Sequence, residues 1–119
     1  MGEGLSPRDR LRKRAEYARC YQAGRRVHGQ MVTLHTAPNS LGHPRLGITA
    51  SRKVGIAVMR HRLKRRVREI YRRWSERHNL PSVDLVVHFK PAAAAASFSE
   101  LRQEFERQMT TLVERDRAS

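Results

Sequence analysis

Residues 51–74 read SRKVGIAVMRHRLKRRVREIYRRW. Ten of them are Lys or Arg, and one, Glu69, is acidic. The apolar residues still recur at helical spacing. With Leu63 as zero and about 100° per residue, Met59, Val67, Ile70 and Trp74 fall within about 40° of it, and Tyr71 near 80°. The pattern predicts a helix over 57–75 with this stripe against a core. His61, Lys64, Arg65, Arg68 and Arg72 fall between about 100° and 200°, on the opposite face. A charged helix face is ordinarily a solvated one, steadied by opposite charges one turn apart. Here eight Lys or Arg share one carboxylate, and like charges one turn apart repel. Such a face fits an external polyanion. Ahead of the helix, Arg52 and Lys53 lead into Gly55, where the backbone is free to approach a phosphate at the helix start.

The whole chain has 119 residues and a net charge of +14, enough length for one domain with a modest core. Arg supplies 21 of the 25 basic residues. Its planar fork grips phosphate oxygens two at a time and stacks on bases. Residues 1–90 carry 21 basic and 6 acidic side chains, whereas residues 91–119 carry 4 and 5. A polyanionic partner therefore meets the earlier part of the chain. The single cysteine, Cys20, excludes an internal disulfide and a site built on several thiolates. Nothing reads as a signal peptide or a membrane span. A soluble, cytoplasmic protein with no membrane partner is expected.

Outward from the basic stretch, residues 1–8 read as a flexible N-terminal segment and 9–119 as one domain. DRLRKRAEYARCYQAGRR suggests a short helix that ends near Gly24. Residues 28–37 and 45–51 alternate as strands, and PNSLGHP between them reads as a hairpin loop. VDLVVHFK, 83–90, is the strongest strand, and PAAAAA is a connector. Ser97 and Glu100 form a capping box for a helix over 98–115 that buries Phe98, Leu101, Phe105, Met109 and Leu112. The order α-β-β-α-β-α, with room for a further short strand, is that of an α+β two-layer sandwich. Strand alternation places Thr33, His35, Thr49, Ser51, His88 and Lys90 on one sheet face with Val86. That face is poor core and a better binding surface, with Tyr17 and Tyr21 of the first helix at its rim.

RNA fits these features better than DNA. The basic face has no Asn or Gln to read adenine edges, and no second helix follows a short turn. Aromatics beside a polar sheet face suit single strands. No pair of acids beside a His motif suggests a protein active site, and Asp84 and Glu69 look isolated, so the chain offers no evident metal site.

SRKVGIAVMRHRLKRRVRE closely resembles the signature of the bacterial ribonuclease P protein subunit, roughly S-[KR]-K-x-G-x-A-V-x-R-N-R-x-[KR]-R-x-x-R-[EQ]. Ser51, Arg52, Lys53, Gly55, Ala57, Val58, Arg60, Arg62, Lys64, Arg65, Arg68 and Glu69 match without a gap. His61 stands where the family has Asn; a neutral imidazole also donates and accepts, with different reach. RLRKRAEYARCYQAGRR is similar to the family's opening motif, with Tyr17 and Tyr21 at its aromatic positions. The resemblance implies an accessory subunit of an endoribonuclease whose catalytic centre lies in its RNA, with no catalytic residue in the protein. It implies magnesium held mainly by the RNA, and hydrolytic removal of the 5′ leader of precursor tRNA. Arg52, Lys53, Arg60, His61, Arg62, Lys64, Arg65, Arg68 and Arg72 would bind the RNA subunit. Tyr17, Tyr21, Thr33, His35, Thr49, Ser51, His88 and Lys90 would line the leader cleft. The basic helix would lie in a left-handed β-α-β crossover. The partners are the catalytic RNA and precursor tRNA, with no DNA and no obligate protein partner. The alternative is a structural RNA-binding protein of ribosomal type, with no part in tRNA processing.

Overall fold

The computed structural model describes residues 5–118. Helix α1 spans Arg14–Gln22, strand β1 Arg25–Val27, β2 Val32–Pro38, β3 Arg45–Thr49, helix α2 Ala57–Arg73, β4 Val83–Phe89 and helix α3 Phe98–Ala118. Short 3-10 turns occupy Pro7–Asp9, Arg77–Asn79 and Pro91–Ala95. One four-stranded sheet runs in the order β1-β2-β4-β3. The first two neighbouring pairs are antiparallel, and β3 lies parallel to β4. The architecture is the expected α+β type.

The expected hairpin between residues 28–37 and 45–51 does not form. Strand β4 inserts between β2 and β3, pairing Leu34 with Val87 on one side and Ile48 with Val87 on the other. The reason lies in burial. VDLVVHF is apolar enough to be covered on both faces and flanked on both edges, so it takes the centre. The hairpin partner of β2 is instead β1, a three-residue strand among arginines that shows no alternation to read.

One sheet face carries Val32, Leu34, Leu46, Ile48, Leu85, Val87 and Phe89. Against it lie Leu63, Val67, Ile70 and Tyr71 of α2 and Leu101, Phe105, Met109, Leu112 and Val113 of α3. Each such side chain contributes about 1.5–3 kcal/mol by leaving water. The α2 stripe is buried as its spacing predicts, with Met59 and Trp74 packed at the margin. The capping box forms: Ser97 N–H donates to Glu100 Oε1 (2.8 Å), and Glu100 N–H to Ser97 Oγ (3.1 Å). Phe98 departs from expectation and stays 40% exposed at the first position of α3. Glu104 is buried instead and accepts N–H bonds from Gln30, Met31 and Val32, each at 2.9 Å. These bonds fasten α3 to the turn between β1 and β2.

Helix α1 is shorter than expected. Leu11 lies outside it and donates its N–H to the Leu46 carbonyl at 3.0 Å. Gly24 ends the helical region at φ 73°. The helix packs Cys20 on Ala37 and Val86 of the second sheet face, and so covers part of that face. Of the segment 1–8, residues 1–4 lie outside the described residues. Leu5 is buried in the main core, so the packed structure begins earlier than position 9.

Candidate nucleic-acid interface

Helix α2 begins at a turn that only glycine fits comfortably. Gly55 has φ 153°, and a Cβ there would press on Met59 at 3.2 Å. Ile56 at the N-cap provides no side-chain bond, and the first turn holds no acid. The helix therefore starts with open amide donors and the positive end of its dipole. Arg52 and Lys53 are exposed before it. Ser51 is exposed too, and its Oγ accepts the Lys53 N–H at 3.3 Å, so it belongs to this turn more than to the sheet face.

Along the helix, His61, Arg62 and Arg65 are exposed, and Arg60, Lys64, Arg68 and Arg72 are half-buried. Glu69 pairs with Arg72 at 2.9 Å and with Arg73. Arg60 turns its Nε back to the Gly55 carbonyl at 3.2 Å. Arg62, Lys64, Arg65 and Arg68 have no ion pair among the described residues. The face thus carries unneutralised charge on a rigid rod.

The second surface lies where α1 leaves the sheet uncovered. Tyr21 is 39% exposed, and its ring centroid is 4.5 Å from that of His35 and 6.1 Å from that of His88. Its hydroxyl shares a hydrogen bond with Thr49 Oγ1 at 2.9 Å, and Thr49 Oγ1 lies 2.9 Å from His88 Nδ1. The four residues come from α1, β2, β3 and β4 and form one cluster of rings and hydroxyls. Burial lowers the pKa of His35, and His88, Arg26 and His28 push it the same way. A largely neutral imidazole suits stacking and can donate one hydrogen bond while accepting another.

Tyr17 sits beside this cluster in a different setting. Its ring packs closely against β3 because Gly47 has no side chain; a Cβ there would come within 2.6 Å of the ring. Burial raises its phenol pKa. Thr33 is only 6% exposed and turns little surface outward. Lys90 leans its ammonium onto the Gly29 carbonyl. Of the eight expected cleft residues, Tyr21, His35, Thr49 and His88 thus form the centre. Tyr17 flanks them, and Thr33, Ser51 and Lys90 stand aside.

A salt-bridge network holds α1 in place. Asp84, fully buried on β4, accepts from Arg19 Nη2 (2.7 Å), Asn39 Nδ2 (2.8 Å) and Arg45 Nε and Nη2 (both 2.9 Å). Burial alone would raise its pKa; the bonds from Arg45, Asn39 and Arg19 outweigh that and lower it. Arg45 also reaches Glu16 of α1 at 3.0 Å. Asp84 is therefore not isolated, as the sequence suggested. Its partners lie 39 to 65 positions away along the chain, and no local pattern announces them. Gly47 did leave a signal, since a lone glycine within a strand marks close approach by another group.

The two surfaces meet. A cavity of about 150 Å³, lined by Arg10, Tyr17, Gly47 and Arg68 among others, sets Arg68 of α2 beside Tyr17 at the flank of the cleft. The family model for ribonuclease P matches residues 5–113, nearly the whole described chain. This chain belongs to the ribonuclease P protein family. The ribonuclease P protein component of Coxiella burnetii is 35% identical over 120 residues, spanning 100% of this chain and 98% of its own. That of Acidothermus cellulolyticus is 38% identical over 113 residues, 92% of each chain. Among solved structures, the Staphylococcus aureus RNase P protein superposes with a TM-score of 0.79 at 27% identity, over 87% of this chain and 94% of that one. The Thermotoga maritima RNase P protein gives 0.75 at 28% identity, over 84% and 94%. The ribonuclease P signature at 51–69 thus falls on the turn and the first thirteen residues of α2.

Proposed function

We propose that the chain is the protein subunit of the ribonucleoprotein endoribonuclease that removes the 5′ leader of precursor tRNA. On this reading α2 and its leading turn dock on the catalytic RNA through Arg52, Lys53, Arg60, Arg62, Lys64, Arg65 and Arg68. His61 takes the place of the family's Asn, and Arg72, half-held by Glu69, lies at the edge. The cleft of Tyr17, Tyr21, His35, Thr49 and His88 receives the single-stranded leader. The observation that carries the reading is the adjacency of an unneutralised basic helix and an aromatic, polar cleft, bridged by Arg68 and Tyr17.

Hydrolysis of the phosphodiester bond belongs to the RNA and to magnesium held mainly by its phosphates. The donor set of the chain supports this division. No three His, Cys, Asp or Glu among the described residues converge for a metal, and the most buried acid, Asp84, is saturated by two guanidinium groups and an amide. The protein's part is to neutralise phosphates, dock the RNA and hold the leader strand beside it. The compartment is the cytoplasm, where tRNA precursors are made; no described helix is long and apolar enough to cross a membrane.

The test is discrimination by the reconstituted complex. Precursor tRNA with a leader of several nucleotides is expected to bind more tightly than mature tRNA, and only when the protein is present. Equal affinities for the two would remove the leader from the reading.

A further inference from the structure

The segment before α1 carries four cations that belong to neither surface: Arg8, Arg10, Arg12 and Lys13. All four are exposed. With Leu41 and His43 they line one open groove of about 350 Å³. The two nearby carboxylates are engaged elsewhere. Asp9 faces His43 and Arg77 and accepts from Ser6. Glu16 accepts the main-chain N–H groups of Arg12 and Lys13 with one oxygen and the Arg45 guanidinium with the other. Arg45 is a fifth cation in the groove, already neutralised by Asp84 and Glu16. The other four have no ion pair among the described residues.

This segment is fastened down. Leu5 ahead of it and Leu11 within it are buried, and Arg10 bridges to Leu46 as an added strand register. Charges on a fixed backbone lose less freedom on binding than charges on a loose arm. The groove also continues into the interface already described, because Arg10 lines both it and the cavity that holds Tyr17 and Arg68.

We propose that Arg8, Arg10, Arg12 and Lys13 form a third RNA-binding surface, a groove for the phosphate backbone of structured RNA. The proposal rests on the chain's being an RNA-binding subunit. Four unpaired cations in a groove that holds no Phe, Tyr or Trp suit backbone contacts, which position an RNA without reading its sequence. The phosphates are those of the catalytic RNA, because the groove runs through Arg10 into the cavity lined by Arg68 of the docking helix; a contact with the body of the tRNA is the contrary outcome of the test.

The experiment uses the full chain with all four residues changed to Gln, and a control with Arg102, Arg107, Arg115 and Arg117 of α3 changed to Gln, which removes the same charge. Affinity is measured against salt for the ribonuclease P RNA alone, and for mature tRNA binding to the assembled complex. Each lost phosphate contact lowers the slope by about 0.7–0.9. A slope smaller by about 2.8–3.6 for the ribonuclease P RNA, with the control near wild type, supports the groove; a loss confined to mature tRNA overturns the catalytic RNA as its occupant. Equal losses in groove variant and control reduce the effect to net charge and overturn it. An unchanged groove variant, when Arg62→Ala with Arg65→Ala loses binding, overturns the groove and leaves the proposed function standing. If the wild-type chain binds neither RNA, both fall. Should the fourfold variant melt early, Arg8→Gln and Arg12→Gln are read singly, each expected to lower the slope by about 0.7–0.9.

Discussion

Tyr21 presents its ring to solvent between two imidazoles, whereas Tyr17 is seated on Gly47. That difference separates a probe of binding from a probe of folding. Tyr21→Ala is expected to weaken binding of leader-bearing precursor by roughly 1–3 kcal/mol, the worth of one stacked base, and to leave mature tRNA unaffected; paired binding titrations check it. Tyr17→Ala would also remove packing from β3 and confound the result. His35 gives a pH dependence. Its folded pKa lies below the ordinary 6.5, through burial first and then through His88, Arg26 and His28. The unfolded chain therefore takes up the proton first as pH falls. The stability tied to neutral His35 is present above about 6.5 and is lost as pH drops through the lower folded value. The drop in urea midpoint between pH 7.5 and 5.5 should be smaller in His35→Gln; equal drops would assign the loss to other groups.

At the scale of elements, α2 was legible because one period governs both its faces. The stripe of Leu63, Val67 and Ile70 is the core contact, and the charges opposite it are the surface left over. Changing Arg62 and Arg65 together to Ala should weaken binding to the RNA subunit and reduce the salt slope by about 1.4–1.8, with an unchanged melting temperature, since both are exposed and neither touches the core. The position of α1 was not legible. It depends on Asp84, whose partners Arg19, Asn39 and Arg45 come from three other parts of the chain. Asp84→Ala leaves two guanidinium groups facing each other over a buried hole. It should cost about 3 kcal/mol, the low end for breaking a buried pair because Arg19 is half exposed. Urea denaturation measures this, and a cost under 1 kcal/mol would mean that α1 is held by Cys20 and Leu11 packing alone. The sheet order was missed for a related reason. Sequence neighbours suggest a hairpin, but the choice of central strand follows from which strand is apolar on both faces, and VDLVVHF outranks its neighbours there.

Over the whole molecule, charge and shape divide the labour. Helix α3 carries five of the eleven acids and closes the core from behind. The cations gather on α2 and on the segment before α1, and Arg68 and Arg10 of the two line one cavity with Tyr17. Composition alone foretold the asymmetry, and the 51–69 spacing foretold the family. The joining of the surfaces at Arg68, Tyr17 and Arg10 required the fold, because these residues meet only when β3 brings Gly47 beneath α1. A protein so arranged should matter most when magnesium is scarce and RNA phosphates are poorly screened. The most direct measurement is cleavage of 5′-labelled precursor tRNA at low magnesium by a ribonuclease P RNA from the same source, with and without this protein. Release of the intact leader only when the protein is added is the expected result. Tight RNA binding with no gain in leader release would contradict it, and would leave a structural RNA-binding protein.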